Sequence, residues 1–286
     1  MPDKSTTVRV LQACAPSLST VAPALAARLF EQLFILPSRY PAPARELAWV
    51  AGASRSTIRF DRRRTLAVYT WGEGPTVLLV HGWAGRGSQL AVYAQPLVAR
   101  GFRVVAFDAP AHGRSSGRRT ALPEFATAVQ RVAAEVGPLH GIIGHSIGTA
   151  ATTVALSRGV EAERLVYLSP PERPGEYLRR AAQWLGFSKR VTDATQRRLE
   201  RRFDVAFADA DGPRLAAELQ QPLLVIHDRE DRDVPFHEGE ALADAWPNGR
   251  LQATDGLGHT RIIRDHAVVR SVVAFMAESS PRRIAV

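Results

Sequence analysis

The chain has 286 residues, 45% of them hydrophobic and 23% charged, a globular composition with no uninterrupted apolar run of the roughly 18 or more residues that a membrane-spanning helix requires. A single cysteine, Cys14, excludes an intrachain disulfide framework and a thiolate-based metal site. The formal charge of +9 is nearly all arginine, since only Lys4 and Lys189 are lysines, and the arginine clusters are scattered without interleaved aromatics, so they read as solvated faces and no nucleic-acid partner is expected.

The opening residues, Met1-Pro2-Asp3-Lys4-Ser5-Thr6-Thr7, lack the basic region and apolar run of a secretory signal, and a cytoplasmic location is expected. Residues 21–36 are apolar but carry Arg28, Glu31 and Gln32, the pattern of an amphipathic surface helix. Residues 1–56 as a whole read as a helical N-terminal extension.

From residue 57 short β-branched runs alternate with helical patterns, which predicts βαβ units and a mostly parallel sheet. Runs 57–60 and 65–71 alternate in polarity and suit an antiparallel pair. Runs 77–80, 104–107, 141–144 and 165–168 are continuously apolar, as central strands buried on both faces must be. Between them, 88–100, 123–136 and 147–158 have helical spacing and stop near Gly101, Gly137 and Gly159, the usual C-terminal signal. The alternation then breaks. Ser169-Pro170-Pro171-Glu172-Arg173-Pro174 opens a polar, Arg-rich helical stretch, 170–221, read as an inserted lid over the carboxyl edge where open α/β sheets bind ligands. Strand 223–227, a helix around 238–246, strand 250–253 and a final helix from about 261 to 276 follow. The expected architecture is α/β: a doubly wound, mostly parallel eight-stranded sheet built from 57–169 and 222–286, with a helical lid after the sixth strand.

Gly144-His145-Ser146-Ile147-Gly148 fits G-x-S-x-G between an apolar run and a helix. A sharp strand-to-helix turn exposes the serine hydroxyl, and glycines two positions either side avoid clashes with the neighbouring strand and helix. The helix N-terminus adds partial positive charge that favours a developing oxyanion. The bare pattern is weak, because Gly113-Arg114-Ser115-Ser116-Gly117 fits it too; that copy follows a proline-containing loop and leads to Arg118-Arg119, not to a helix packed on a strand, and reads as coincidence.

A serine hydroxyl needs a base in reach, itself oriented by a carboxylate. The loop Asp228-Arg229-Glu230-Asp231-Arg232-Asp233-Val234-Pro235 leaves the strand at 223–227, and Gly256-Leu257-Gly258-His259 follows the last strand. Both loops lie at the edge that carries Ser146, in the order Ser, Asp, His, and the acid loop offers several carboxylates.

With these residues the chain resembles the α/β-hydrolase superfamily over nearly all of its length after residue 57. His81-Gly82-Trp83 resembles the family's HGx oxyanion segment, and Asp108-Ala109-Pro110-Ala111-His112-Gly113-Arg114-Ser115 resembles its D-x-P-G-H-G-x-S loop, with Ala111 where glycine is usual. The acid loop of the family reads D-x-x-V-P, which matches Asp231-Arg232-Asp233-Val234-Pro235 and selects Asp231 over Asp228 and Asp233. The resemblance implies Ser146 as nucleophile, His259 as base, Asp231 as its orienting acid, and the backbone N–H groups of Trp83 and Ile147 as oxyanion hole. Ser146 argues against the dehalogenases and epoxide hydrolases of the family, which use an aspartate nucleophile.

Gly144, Gly148, Gly82, His81, Asp108 and His145 are expected to shape or support these loops without reacting. No glycine pattern fits a nucleotide fingerprint and no histidine spacing fits a metal site, so neither cofactor nor metal is expected. The implied activity is hydrolysis of a small-molecule ester or thioester through an acyl-enzyme. A thioesterase, an acyltransferase or a carbon–carbon bond hydrolase would use the same residues, and a non-catalytic binder would keep the fold alone.

Overall fold

The structure, a computed structural model, describes residues 6–278. Its helices are α1 (Thr6–Val21), α2 (Pro23–Phe34), α3 (Ala44–Trp49), α4 (Gly87–Leu90), α5 (Ala94–Val98), α6 (Leu122–Val136), α7 (Ile147–Ser157), α8 (Pro174–Leu185), α9 (Lys189–Phe203), α10 (Gly212–Ala216), α11 (Phe236–Ala245), α12 (Gly258–Arg261) and α13 (His266–Ala277). The strands are β1 (Ser54–Arg59), β2 (Thr65–Trp71), β3 (Thr76–Val80), β4 (Arg103–Phe107), β5 (Leu139–His145), β6 (Ala162–Leu168), β7 (Leu223–Asp228) and β8 (Gly249–Thr254). The chain divides into two compact units: residues up to Leu36 with Arg173–Asp211, and Pro37–Glu172 with the chain from Gly212 onward.

In the larger unit eight strands form one sheet in the order β1-β2-β4-β3-β5-β6-β7-β8. The pairs β1/β2 and β2/β4 are antiparallel and the rest are parallel. Every residue of β3 is buried, as its Val-Leu-Leu-Val run requires, and each such side chain stabilises the fold by about 1.5–3 kcal/mol. The edge strand β1 begins at Ser54, three residues before the apolar reading places it, because its polar residues face solvent and only Ile58 is buried. Helix 88–100 is broken into α4, a 3-10 turn over Ala91–Tyr93, and α5; Pro96 lacks an N–H and is accommodated only in the first turn of a helix, so a new helix starts just before it.

The chain passes from β3 outward to β4 and then back across β3 to β5. This reversal sets the loops that leave β3 and β5 side by side, the place where open α/β sheets form a crevice. Val80 and Gly144 are register partners, which brings Gly82 and Ser146, two residues further along each chain, to the same level.

The smaller unit joins two stretches that are remote in sequence. α2 packs on α9 and α1 on α8. Phe30 stacks on Phe187 at 4.9 Å, and Thr195 Oγ1 donates to the carbonyl of Ala27. Glu31, one of the polar residues in the amphipathic pattern of 21–36, is 3% exposed and accepts Arg198 Nε at 2.5 Å and Arg202 Nη1 at 3.2 Å; a buried carboxylate needs such partners. The segment 170–221 therefore does not stand by itself, since Arg173–Asp211 shares a unit with α1 and α2 while residues 37–56 and 212–221 belong to the sheet unit.

Candidate active site

Ser146 follows β5 and precedes α7 with φ 52° and ψ −130°, a sparsely populated positive-φ conformation that costs an L-residue on the order of 1–3 kcal/mol. Its N–H donates to the carbonyl of Leu168 at 3.0 Å, and its own carbonyl accepts both the N–H and the hydroxyl of Thr149 at 2.8 and 2.7 Å. Two glycines make the turn possible. A Cβ on Gly148 would stand 2.5 Å from the carbonyl oxygens of Val80 and His81, and one on Gly144 would press on the backbone of Thr149. Gly82 is equally constrained, since its Cβ would meet His145 at 2.8 Å and Ser146 at 3.1 Å.

His259 lies on α12, beyond β8, and Asp231 on the loop beyond β7. His259 Nδ1 donates to Asp231 Oδ2 at 2.8 Å, so in a neutral ring Nε2 is the nitrogen that can accept a proton. The other carboxylate oxygen of Asp231 accepts the amides of Asp233 and Val234, both at 2.9 Å. His227 lies beneath, with Nε2 3.0 Å from the Val234 carbonyl and 3.5 Å from Asp231 Oδ2. Burial pushes the Asp231 carboxyl up, but hydrogen bonds from His227, His259 and the Val234 amide outweigh it and hold the group well below the ordinary carboxylate range. Asp228 does not reach His259: its oxygens accept the Glu230 and Leu257 amides and the Thr254 hydroxyl, tying β7 to the loop after β8.

His145 Nε2 donates to the backbone carbonyl of His259 at 2.9 Å, so the serine turn and the histidine loop are joined directly. Burial, then the neighbouring His259, lower the His145 pKa to about 3, which keeps the ring neutral. His81 and His112 do the same work one layer away. His81 Nε2 accepts the Ala109 amide at 2.9 Å while its Nδ1 donates to the Gly82 carbonyl at 2.7 Å. His112 Nε2 accepts the Ala84 amide at 3.0 Å and its Nδ1 donates to the Pro110 carbonyl at 2.9 Å. An amide can only donate, which fixes both tautomers, and burial lowers the two pKa values to about 4 and about 3. Asp108 accepts the amides of Gly87 and Arg114, both at 2.7 Å. Ala111 has φ 65°, which is why glycine suits that position better. These bonds lace the loops after β3 and β4 together and set Gly82 and Trp83 beside Ser146. Among the described residues the amides of Trp83 and Ile147 have no hydrogen-bond acceptor.

The second G-x-S-x-G copy is a turn. Ser115 is buried, its hydroxyl donating to the Asp108 carbonyl and accepting the Ala67 amide.

Ser146 and His259 open on a cavity of about 460 Å³, within the range of small-molecule sites. Trp49 and Trp83 also line it. The reading of residues 1–56 as an extension missed that α3 walls this cavity. Glu46 of α3 is buried and accepts Arg86 Nε at 2.6 Å, Arg86 Nη2 at 3.1 Å and Ser88 Oγ at 2.7 Å; no motif marks that link between Glu46 and the loop after β3. Asp231, Asp233 and His259 offer ligand atoms within 4.8 Å of one another, but Asp231 Oδ2 and His259 Nδ1 are hydrogen-bonded to each other at 2.8 Å.

Comparison with known proteins gives a match of residues 77–271 to the model described as the alpha/beta hydrolase family. A curated pimeloyl-[acyl-carrier protein] methyl ester esterase of Chromobacterium violaceum is 41% identical over 85 residues, 29% of this chain and 32% of that protein, so the match spans about a third of the relative's length. Among solved structures, a bromoperoxidase from Bacillus anthracis superposes with a TM-score of 0.62 at 16% identity, covering 79% of this chain and 100% of that one. An esterase from Exiguobacterium antarcticum gives 0.61 at 16% identity with the same coverages. At these identities the structures speak to the fold alone.

Proposed function

Because the chain belongs to the alpha/beta hydrolase family, we propose that it is a serine hydrolase of carboxylic esters or thioesters, working through an acyl-enzyme on Ser146. Ester hydrolysis is also what the curated relative's name describes. The observation that carries the reading is the His259–Asp231 hydrogen bond of 2.8 Å on the cavity that Ser146 enters from its positive-φ turn. Ser146 Oγ attacks the carbonyl carbon as His259 Nε2 takes its proton, and Asp231 stabilises the imidazolium that results. The Trp83 and Ile147 amides receive the oxyanion, each donor contributing about 3–4 kcal/mol. The leaving group takes the proton back from His259, and water, activated by the same imidazole, releases the acid.

Hydrolysis of p-nitrophenyl esters from acetate to long acyl chains by wild type and Ser146→Ala tests it. Turnover should fall by about 10⁴-fold or more in the variant, since triad members act as a unit. Equal turnover in the two proteins would remove Ser146 from the mechanism. The chain-length optimum of the wild type would size the cavity.

A further inference from the structure

Two arginines face the cavity of Ser146 without an anion. Arg45 lies on α3 and Arg264 at the end of the 3-10 turn Ile262–Arg264, and both line the cavity together with Ser146 and His259. A third cation, Arg86, is consumed by Glu46 and by the Tyr40 carbonyl at 3.0 Å. The other carboxylate of the lining, Asp233, stands beside Asp231 and His259. Among the described residues neither Arg45 nor Arg264 has a hydrogen-bond or ion-pair partner. Burial, then the positive charges of Arg45 and Arg261, pull the Arg264 pKa down, with Glu46 opposing; like charges are thus held near one another and a bound anion would relieve them. The Glu46–Arg86 pair anchors α3, which fixes where Arg45 stands.

Resting on the reading that Ser146 cleaves an ester, we propose that Arg45 and Arg264 form an anion subsite of the same cavity, and that the substrate is an ester whose acyl or alcohol part carries an ionised oxyacid group. A guanidinium presents a planar fork of donors that matches carboxylate or phosphate oxygens, and charge-assisted bonds of this kind distinguish an anionic ester from its neutral isostere by about tenfold or more.

The test compares p-nitrophenyl hydrogen glutarate with p-nitrophenyl valerate, in which a methyl replaces the carboxylate. Wild type should favour the glutarate by about tenfold in kcat/KM, and Arg45→Gln/Arg264→Gln should bring the ratio near one. Arg45→Gln alone, at an exposed position, gives the same readout should the double variant fold poorly. A ratio near one in wild type, or one that survives both substitutions, overturns the proposal. Fluorescence titration of Ser146→Ala, reporting Trp49 and Trp83, with monomethyl glutarate, inorganic phosphate and methyl valerate separates the two readings. Arginine-dependent binding of either anion upholds the subsite and identifies carboxylate or phosphate, even if no ester is turned over and the hydrolase reading falls. No preference for an anion over methyl valerate rejects the subsite whatever the turnover.

Discussion

In the sheet unit, the strand Thr76–Val80 is buried end to end, and its neighbours in space are reached through ordinary βα connections. In the helical unit, α2 and α9 meet across 168 residues of sequence through a threonine hydroxyl, and across 167 through a buried Glu31–Arg198 ion pair. The first kind of unit announces itself in continuous apolar runs. The second is assembled from segments that each look like a solvated helix until their partner is known. Histidines follow the same division: all eight of the chain lie in the sheet unit, and none lies between Arg173 and Asp211 or before Leu36.

The largest expected effect is confined to the sheet unit. Asp231→Asn should lower kcat by about 10⁴-fold, because the amide no longer holds His259 with its proton on Nδ1, whereas Asp228→Asn, which does not touch His259, should cost far less. Asp228 holds the Glu230 and Leu257 amides and the Thr254 hydroxyl but not His259, so steady-state kinetics of both variants decides between them, and a costlier Asp228→Asn would mean that the acid is misassigned. Phe30→Ala acts on the other side of the comparison. Removing a buried ring stacked on Phe187 should destabilise the helical unit by about 3–5 kcal/mol, seen as faster hydrogen exchange in α2 and α9 with β3 and β5 unchanged. Equal loss of protection in the strands would show that the two units unfold as one.

Acid should separate them more gently. His81, His112 and His145 have folded pKa values of about 4, 3 and 3, all below the unfolded value of about 6.5. Between those limits the unfolded chain binds more protons than the folded one, so stability is complete above about pH 6.5 and falls as pH drops toward 4, by up to about 1.4 kcal/mol per pH unit for each histidine. Denaturant midpoints measured at pH 7, 6 and 5 should fall for the sheet unit; a midpoint independent of pH would mean that these rings are protonated at no cost in the folded state.

How much of this was legible follows from the same physics. The parallel strands and the places of Ser146, the acid loop and His259 at one edge come from hydrophobic runs and chain order. Which carboxylate bonds His259 does not follow from runs and order, because Asp228, Glu230, Asp231 and Asp233 share one loop; the resemblance of 231–235 to D-x-x-V-P selects Asp231, and the folded geometry puts two amides on its Oδ1 and His259 on its Oδ2. α3 was hidden because six residues with one buried glutamate carry no periodic signal, and its role rests on Arg86, 40 positions away. The burial of Glu31 is not legible for a related reason, since an acid in an amphipathic helix carries no sign of the basic helix that covers it.

The most direct test is mass-spectrometric mapping of the serine labelled by a fluorophosphonate. The account predicts one adduct, on Ser146, absent from Ser146→Ala and leaving buried Ser115 unmodified. An adduct that persists in Ser146→Ala, or one carried by Ser115, would contradict it.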